Sequence, residues 1–162
     1  LDIGLWPETI EKLNIQRKVI RGNWTAQHLK KRESDSHKGT YGHTLLVGGH
    51  RQMTGAMVLA CKAALRSGAG LVTTLVPEAC RDAMVHQNPE AMCVYVPGEY
   101  LGREAISIFD QHLKGKTSVM IGPGMGKEEE TRTFLREILP MVQVPLIMDA
   151  DALNMLAEDP TL

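Results

Sequence analysis

The fold is decided by residues 44–76, which read Thr44-Leu45-Leu46-Val47-Gly48-Gly49, then a run from Gly55 to Ser67, then Gly68-Ala69-Gly70-Leu71-Val72-Thr73-Thr74-Leu75-Val76. The first piece is a short apolar run ending in two glycines, the pattern of a buried strand followed by a tight turn. The second predicts a helix over 55–67 on which only Lys62 and Arg66, four residues apart, carry charge. A helix so nearly apolar all round is expected to be buried on most sides. Its small residues Gly55, Ala56, Ala60, Ala63 and Ala64 would let it approach a sheet closely. The glycines at 68 and 70 end it, because glycine takes the left-handed C-cap conformation at little cost. Residues 71–76 form the next strand, closed by Pro77.

The same alternation continues downstream. A helix around 78–86 precedes a third strand at 91–96, and Ala105, Ile108, Phe109 and Leu113 mark one face of another helix. Val119-Met120-Ile121 is a fourth strand that runs into Gly122-Pro123-Gly124-Met125-Gly126. The helix beyond carries Glu128, Glu129 and Glu130 in its first turn, where the helix dipole favours anions, and Phe134, Leu135, Ile138 and Leu139 form its buried stripe. A fifth strand over 144–148 delivers Asp149-Ala150-Asp151 to a last helix. Five such alternations, with strands apolar on both faces, predict an α/β fold whose parallel sheet is covered by helices on two sides. The sequence given stops at Pro160-Thr161-Leu162 with no closing strand, so an incomplete sheet is expected.

The first 35 residues are different. Trp6-Pro7-Glu8 and Trp24-Thr25-Ala26 each read as a helix start, and residues 30–36 are a polar run suited to a solvated linker. The expected organisation is therefore N-terminal helices and linker over 1–35, followed by the α/β domain over 36–162.

Composition narrows the function classes. The 162 residues carry 18 Lys+Arg against 19 Asp+Glu, a net charge of −1, with 43% apolar and 23% charged residues. That balance provides no general attraction to nucleic acid or to an anionic membrane, and no window approaches the ~20 apolar residues of a membrane span. Aromatic residues at 4% leave few stacking platforms for single-stranded nucleic acid. Three cysteines with no close pair, Cys61, Cys80 and Cys93, argue against a disulfide framework and a cysteine zinc site, and Cys61 reads as a core residue. No HExxH or other histidine pair suggests a metal, and a reducing intracellular compartment is expected.

Chemistry in such a sheet belongs to loops beyond the carboxyl ends of strands. Three loops qualify. Residues 48–56 combine glycines with a following helix whose N–H groups can face an anion, yet they lack the ending of a Walker loop and the spacing of GxGxxG. Residues 122–126 hold three glycines at a strand-to-helix junction, suiting either a ligand or tight packing. Asp149-Ala150-Asp151-Ala152-Leu153-Asn154 could hold a hydrated cation or sugar hydroxyls, with Asp151 expected to N-cap the last helix. A fourth segment, Ser36-His37-Lys38-Gly39-Thr40-Tyr41-Gly42, could reach a phosphate or be a polar loop entering the first strand.

These segments, taken in order with Met53-Thr54-Gly55-Ala56 and 63–72, resemble one family, the ADP- or ATP-dependent NAD(P)H-hydrate dehydratases. The resemblance runs from about Ser36 to the end of the chain. It implies a ribokinase-like three-layer α/β/α fold and a repair function. The S-form of NADH or NADPH hydrate, a 6-hydroxy derivative, is restored by loss of water at the expense of ADP or ATP with Mg2+. Phosphorylating the hydroxyl makes it a good leaving group, which is how a kinase-like fold serves a dehydratase. The family's hydrate-contacting positions fall on Ala56 and Gly124. His37, Lys38 and Tyr41 match a motif expected to contact hydrate or nucleotide, while Asp149 and Asn154 match residues near the reaction centre.

Asp2-Ile3-Gly4-Leu5 resemble the tail of the epimerase domain that precedes the dehydratase in bifunctional members. The family's Thr-Pro-His-Pro-Gly-Glu segment, nucleotide site and Gly-Thr-Gly-Asp loop with its catalytic aspartate do not occur before Leu162. No catalytic or metal-ligating residue is therefore assigned within the chain. A cytoplasmic homo-oligomer is expected. A small-alcohol kinase on the same fold is the nearest alternative, and a non-catalytic binding module the next. A Rossmann dehydrogenase fits less well, since no strand leads into GxGxxG. The 162-residue chain alone is expected to give no ADP-dependent NADH recovery, and the intact mass of the natural gene product decides between the readings: a mass well above 17.9 kDa keeps the dehydratase assignment, a mass equal to it favours the binding module. Turnover by the isolated chain, or a mass equal to it, would overturn this reading.

Overall fold

The computed structural model describes residues 6–13, 20, 22–29 and 31–159. The chain forms two compact units, Leu1–Ser36 and His37–Leu162. In the first, Pro7 opens helix α1 (Pro7–Lys12) from N1, where its missing N–H costs nothing. Helix α2 (Gly22–His28) starts two residues before the expected Trp24. Trp24 is held inside it by His28 one turn on, whose Nδ1 lies 2.8 Å from the Trp24 carbonyl oxygen and whose ring stacks on the indole at 4.0 Å. Residues 31–35 are exposed and neither helical nor extended in a sheet. The epimerase-like segment 2–5, Lys30 and the terminal residues 160–162 lie outside the described residues.

The second unit is built on five parallel strands in the order β3-β2-β1-β4-β5. They are β1 (His43–Val47), β2 (Leu71–Pro77), β3 (Met92–Val96), β4 (Ser118–Ile121) and β5 (Leu146–Met148). The intervening helices are α3 (Thr54–Ser67), α4 (Arg81–Gln87), α5 (Ala105–Leu113) and α6 (Glu129–Ile138), with α7 (Ala150–Glu158) last. Side chains alternate across a strand, so each strand serves two cores. On β1, Leu45 and Val47 join Ala105, Phe109, Phe134, Leu135, Ile138, Ala152 and Met155 from α5, α6 and α7. Leu46 faces the other way, into Met57, Val58, Cys61 and Met84 from α3 and α4. This is the three-layer α/β/α arrangement, with the sheet in the middle. The only two phenylalanines of the chain, Phe109 and Phe134, meet edge to face at 6.3 Å, joining α5 to α6.

Several expectations change in detail. Helix α3 is not buried on most sides: Met57, Val58 and Cys61 point inward, while Leu59 is 70% exposed and Gly55 and Ala63 lie on the outer face. Alanine favours a helix whether or not it is buried, so small apolar residues mark the element without marking its inner face. Strand β5 begins at Leu146 rather than at 144, because Pro145 has no N–H and joins the ladder only through its carbonyl, which accepts from Val119 N–H at 2.9 Å. The helix expected over 78–86 opens as a 3-10 turn, Glu78–Cys80, before α4. Cys61 and Cys80 are fully buried, and burial pushes both thiols up to about 11, so they act as apolar core groups. On β5, Leu146 and Met148 pack into the α5–α7 core, whereas Ile147 points to the opposite face and is 59% exposed. No helix of the described residues is long and apolar enough to cross a membrane.

At the amino edge of the sheet, His43 Nε2 lies 2.7 Å from Thr73 Oγ1 on the neighbouring strand. Burial, and then the nearby Lys116 charge, lower the His43 pKa below the ordinary 6.5. The folded chain therefore binds fewer protons at this site than the unfolded chain, so the contribution is intact above pH 6.5 and is lost as pH falls below it. Chemical denaturation at a series of pH values should show stability declining on acidification below pH 6.5, with the slope reduced in His43→Gln. An unchanged slope in that variant would remove His43 from the account.

Candidate functional site

Strand β1 hydrogen-bonds β2 on one side and β4 on the other, so the connections leaving β1 and β4 diverge to opposite faces of the sheet. A crevice opens between such connections at the carboxyl ends of the two strands, the place where open α/β sheets bind ligands. Its walls are residues 48–53 after β1 and residues 122–128 after β4, with residues 149–150 after β5 alongside.

The walls approach through backbone. Gly49 N–H donates to the Pro123 carbonyl at 3.0 Å, and Gly122 N–H donates to the Val47 carbonyl at 3.0 Å. A Cβ on Gly48 would lie 2.6 Å from the Pro123 oxygen, so only glycine lets the loops come together there. Gly124, with φ +57°, sits against the start of α3. A Cβ on it would fall 2.8 Å from Ala56 Cβ and 2.9 Å from the Met53 carbonyl oxygen. The two positions that the resemblance assigns to the hydrate are thus neighbours across the crevice, although 68 residues separate them in the chain (124 − 56). Both glycine loops also pack tightly on one another, so the ligand and packing readings of residues 122–126 apply together.

The third wall is pinned to the second. Asp149 N–H donates to the Ile121 carbonyl at 3.0 Å, and Gly126 N–H donates to Asp151 Oδ2 at 3.0 Å. The other Asp151 oxygen accepts from Asn154 Nδ2 at 3.3 Å. Asp151 is therefore not the N-cap of α7; it lies in the first turn, and Asp149 holds the cap position. The reason is Ala150, whose φ of +45° makes the sharp exit from β5 and starts the helix two residues earlier than expected. This is the only left-handed non-glycine residue among those described, and conformations of this kind cost of order 1–3 kcal/mol. The exposed Asp149 side chain makes no capping hydrogen bond.

His37, Lys38 and Tyr41 lie elsewhere. The 3-10 turn Lys38–Tyr41 immediately precedes β1, at the amino edge of the sheet. Five residues of strand, about 16 Å at ~3.3 Å each, separate it from the crevice. Locally it has a clear structural task. His37 Nδ1 accepts from Gly39 N–H at 3.1 Å, and the Tyr41 and Gly42 carbonyls accept from Gly70 and Leu71 N–H, each at 3.0 Å. The turn thereby aligns the starts of β1 and β2. The structure thus gathers Ala56, Gly124, Asp149 and Asn154 at one edge and leaves His37, Lys38 and Tyr41 at the other.

A second set of residues at the crevice was not singled out by sequence reasoning. His50 is 8% exposed, and its Nε2 lies 3.1 Å from Glu128 Oε1. Glu128 is the N-cap of α6, without a side-chain cap bond, and its other carboxylate oxygen is buried without a partner. Tyr100 stacks on His50 at 6.4 Å and donates from its hydroxyl to Glu130 Oε2 at 3.1 Å, which raises the phenol pKa above its ordinary value. Exposed Arg51 and Glu99 form an ion pair at the rim. The available signal was a histidine directly after the Gly48-Gly49 strand end. Among the described residues no cluster of three or more His, Cys, Asp or Glu side chains is assembled to hold a metal ion.

Comparison with known proteins agrees with this architecture. The profile of the NAD(P)H-hydrate dehydratase family matches residues 44–162. A bifunctional NAD(P)H-hydrate repair enzyme from Moorella thermoacetica is 38% identical over 161 residues, covering 98% of this chain and 30% of that protein. A solved ribokinase-like superfamily protein from Enterococcus faecalis superposes with a TM-score of 0.71 at 29% identity, over 80% of this chain and 44% of that one. The ADP/ATP-dependent NAD(P)H-hydrate dehydratase from Bacillus subtilis, co-crystallised with ATP and Mg2+, gives a TM-score of 0.63 at 29% identity, over 81% and 45% respectively. The chain therefore spans less than half the length of each of these proteins. Its sheet order, its glycine-lined crevice and the match over 44–162 lead to one assignment: the chain belongs to the NAD(P)H-hydrate dehydratase family.

Proposed function

We propose that this chain forms part of an active site that dehydrates the S-form of NADH or NADPH hydrate to NAD(P)H at the expense of ADP or ATP. The observation that carries the reading is the contact of Gly124 with Ala56 across the switch-point crevice, within a chain that the family profile matches from Thr44 onward. A wall made of glycine backbone and the uncapped start of α3 suits a planar, phosphate-bearing ligand, because backbone can approach closely and helix N–H groups face an anion.

The residues here bind and orient. Ala56 and Gly124 supply the surface on which the reduced nicotinamide lies. Asp149 at the exit of β5 and Asn154 on α7, beside Asp151, would hydrogen-bond polar groups of the hydrate, with Asp151 holding that exit against Gly126. When bound, the nucleotide supplies the phosphoryl group that makes the 6-hydroxyl a leaving group. Mg2+ would accompany the nucleotide; the described residues offer it no ligand cluster. His37, Lys38 and Tyr41 are left out of this wall because of their position at the amino edge. Similarity to the bifunctional relative supports an epimerase partner upstream; a homo-oligomeric state and a cytoplasmic location are part of the same proposal.

The enzyme expressed from its complete gene should restore NADH absorbance from NADH hydrate when ADP or ATP is added with Mg2+, and should release no stable phosphorylated product. Accumulation of such a product would favour the small-alcohol kinase. Gly124→Ala should raise the hydrate KM at least about tenfold and lower stability by roughly 1–3 kcal/mol, because its Cβ overlaps Ala56 and Met53. A variant with wild-type KM and melting temperature would place the hydrate elsewhere.

A further inference from the structure

We propose that His50 is a positioning residue of this crevice: by donating its Nε2–H to Glu128 it holds the Met53–Ala56 end of one wall against Gly124 on the other. The inference rests on the reading of the crevice as the hydrate site. It starts from a residue whose polar atoms are nearly all committed. Nδ1 accepts from Gln52 N–H at 3.0 Å, which leaves the ring proton on Nε2, facing Glu128 Oε1 at 3.1 Å. The His50 carbonyl accepts from Met53 N–H at 2.9 Å and from the buried Cys80 thiol at 3.8 Å. Tyr100 stacks on the ring at an interplanar angle of 10°.

The consequence runs through Met53. Met53 caps α3 and accepts from Ala56 N–H at 3.1 Å, and its carbonyl and Cβ lie 2.9 and 3.0 Å from where a Gly124 Cβ would be. The chain of contacts is therefore Glu128 to His50, His50 to Met53, and Met53 to both Ala56 and Gly124. The Gly49–Pro123 backbone bond joins the same two walls closer to the sheet and does not involve the imidazole. Loss of the His50–Glu128 contact should thus leave the loops attached at their base and loosen them where the ligand sits. A role in folding alone would lower stability without changing the affinity for one substrate.

The test uses the enzyme from its complete gene, with NADH hydrate and ADP varied separately. Asparagine keeps an acceptor for Gln52 N–H but cannot reach Glu128; glutamine reaches Glu128 with its amide N–H. His50→Asn should raise the hydrate KM about tenfold, the scale of losing one hydrogen bond to a charged group, with kcat and the ADP KM within about twofold. His50→Gln should recover most of the loss. Glu128→Ala should reproduce the rise, and His50→Asn with Glu128→Ala should be no worse than either alone. The proposal is overturned by a hydrate KM that stays within twofold in both single variants. It is equally overturned by an equal rise in the ADP KM, or by a glutamine variant no better than asparagine. If His50→Asn does not fold, the KM of Glu128→Ala decides. Wild-type enzyme that turns over no hydrate overturns the function reading itself, whereas active wild type with unaffected variants overturns only the role of His50.

Discussion

The close approach of the β1 and β4 exits is the constraint on which the rest of the unit depends. Gly49 N–H reaches the Pro123 carbonyl at 3.0 Å, and Gly48 leaves no room for a Cβ beside the same oxygen. β1 must pair with β2 and β4 at once, so its two faces serve both helical layers, with Leu46 in one core and Leu45 and Val47 in the other. Separating the exits by the width of one methyl group would disturb the strand pairing beneath them. Parallel sheets tolerate no exposed central strand, so that disturbance would reach both layers.

The same constraint explains why the candidate site is made largely of backbone. Side chains placed between the exits would fill the crevice, so the walls carry glycine where they meet and push their polar groups to the periphery. There the polar groups act as ties. Asp151 fastens Gly126 to α7, His50 fastens the β1 exit to α6, and Arg51 and Glu99 pair at the rim. The strained Ala150 belongs to this pattern, since a left-handed residue brings Asp149 to the edge without using its carboxylate as a cap. Exposed pairs such as Arg51–Glu99 contribute little to stability. The buried contacts at His50 matter more, because an unmet polar group in a desolvated position costs more than an exposed pair gains.

Much of the fold was legible. The apolar runs at 45–47, 71–76 and 119–121 are strands because β-branched and leucine side chains on successive positions can be buried only when both faces of a sheet are covered. The periodicity at Phe134, Leu135 and Ile138 correctly marked the inner face of α6. Helix α3 shows where this fails: a run of alanines and leucines has no polar face to betray which side is outward, and Leu59 lies outside. In the site, Ala56 and Gly124 were reached through resemblance and the glycine loops through their composition. Asp151 was misread because a cap was counted from composition, whereas a single backbone angle at Ala150 decides where α7 begins.

By itself the sequence determined the element order, the parallel sheet and the glycine loops at strand ends, since these follow from local periodicity and from the conformations that individual residues allow. Only the tertiary structure decided that β1 lies between β2 and β4, which puts Gly124 against Ala56 and opens the crevice at their shared edge. It also decided that His37, Lys38 and Tyr41 sit at the opposite edge and that His50 meets Glu128. The physical reason is that strand order and the meeting of distant loops depend on which long-range pairings bury both faces of the sheet at once. Residues near one another in the chain carry no record of that choice.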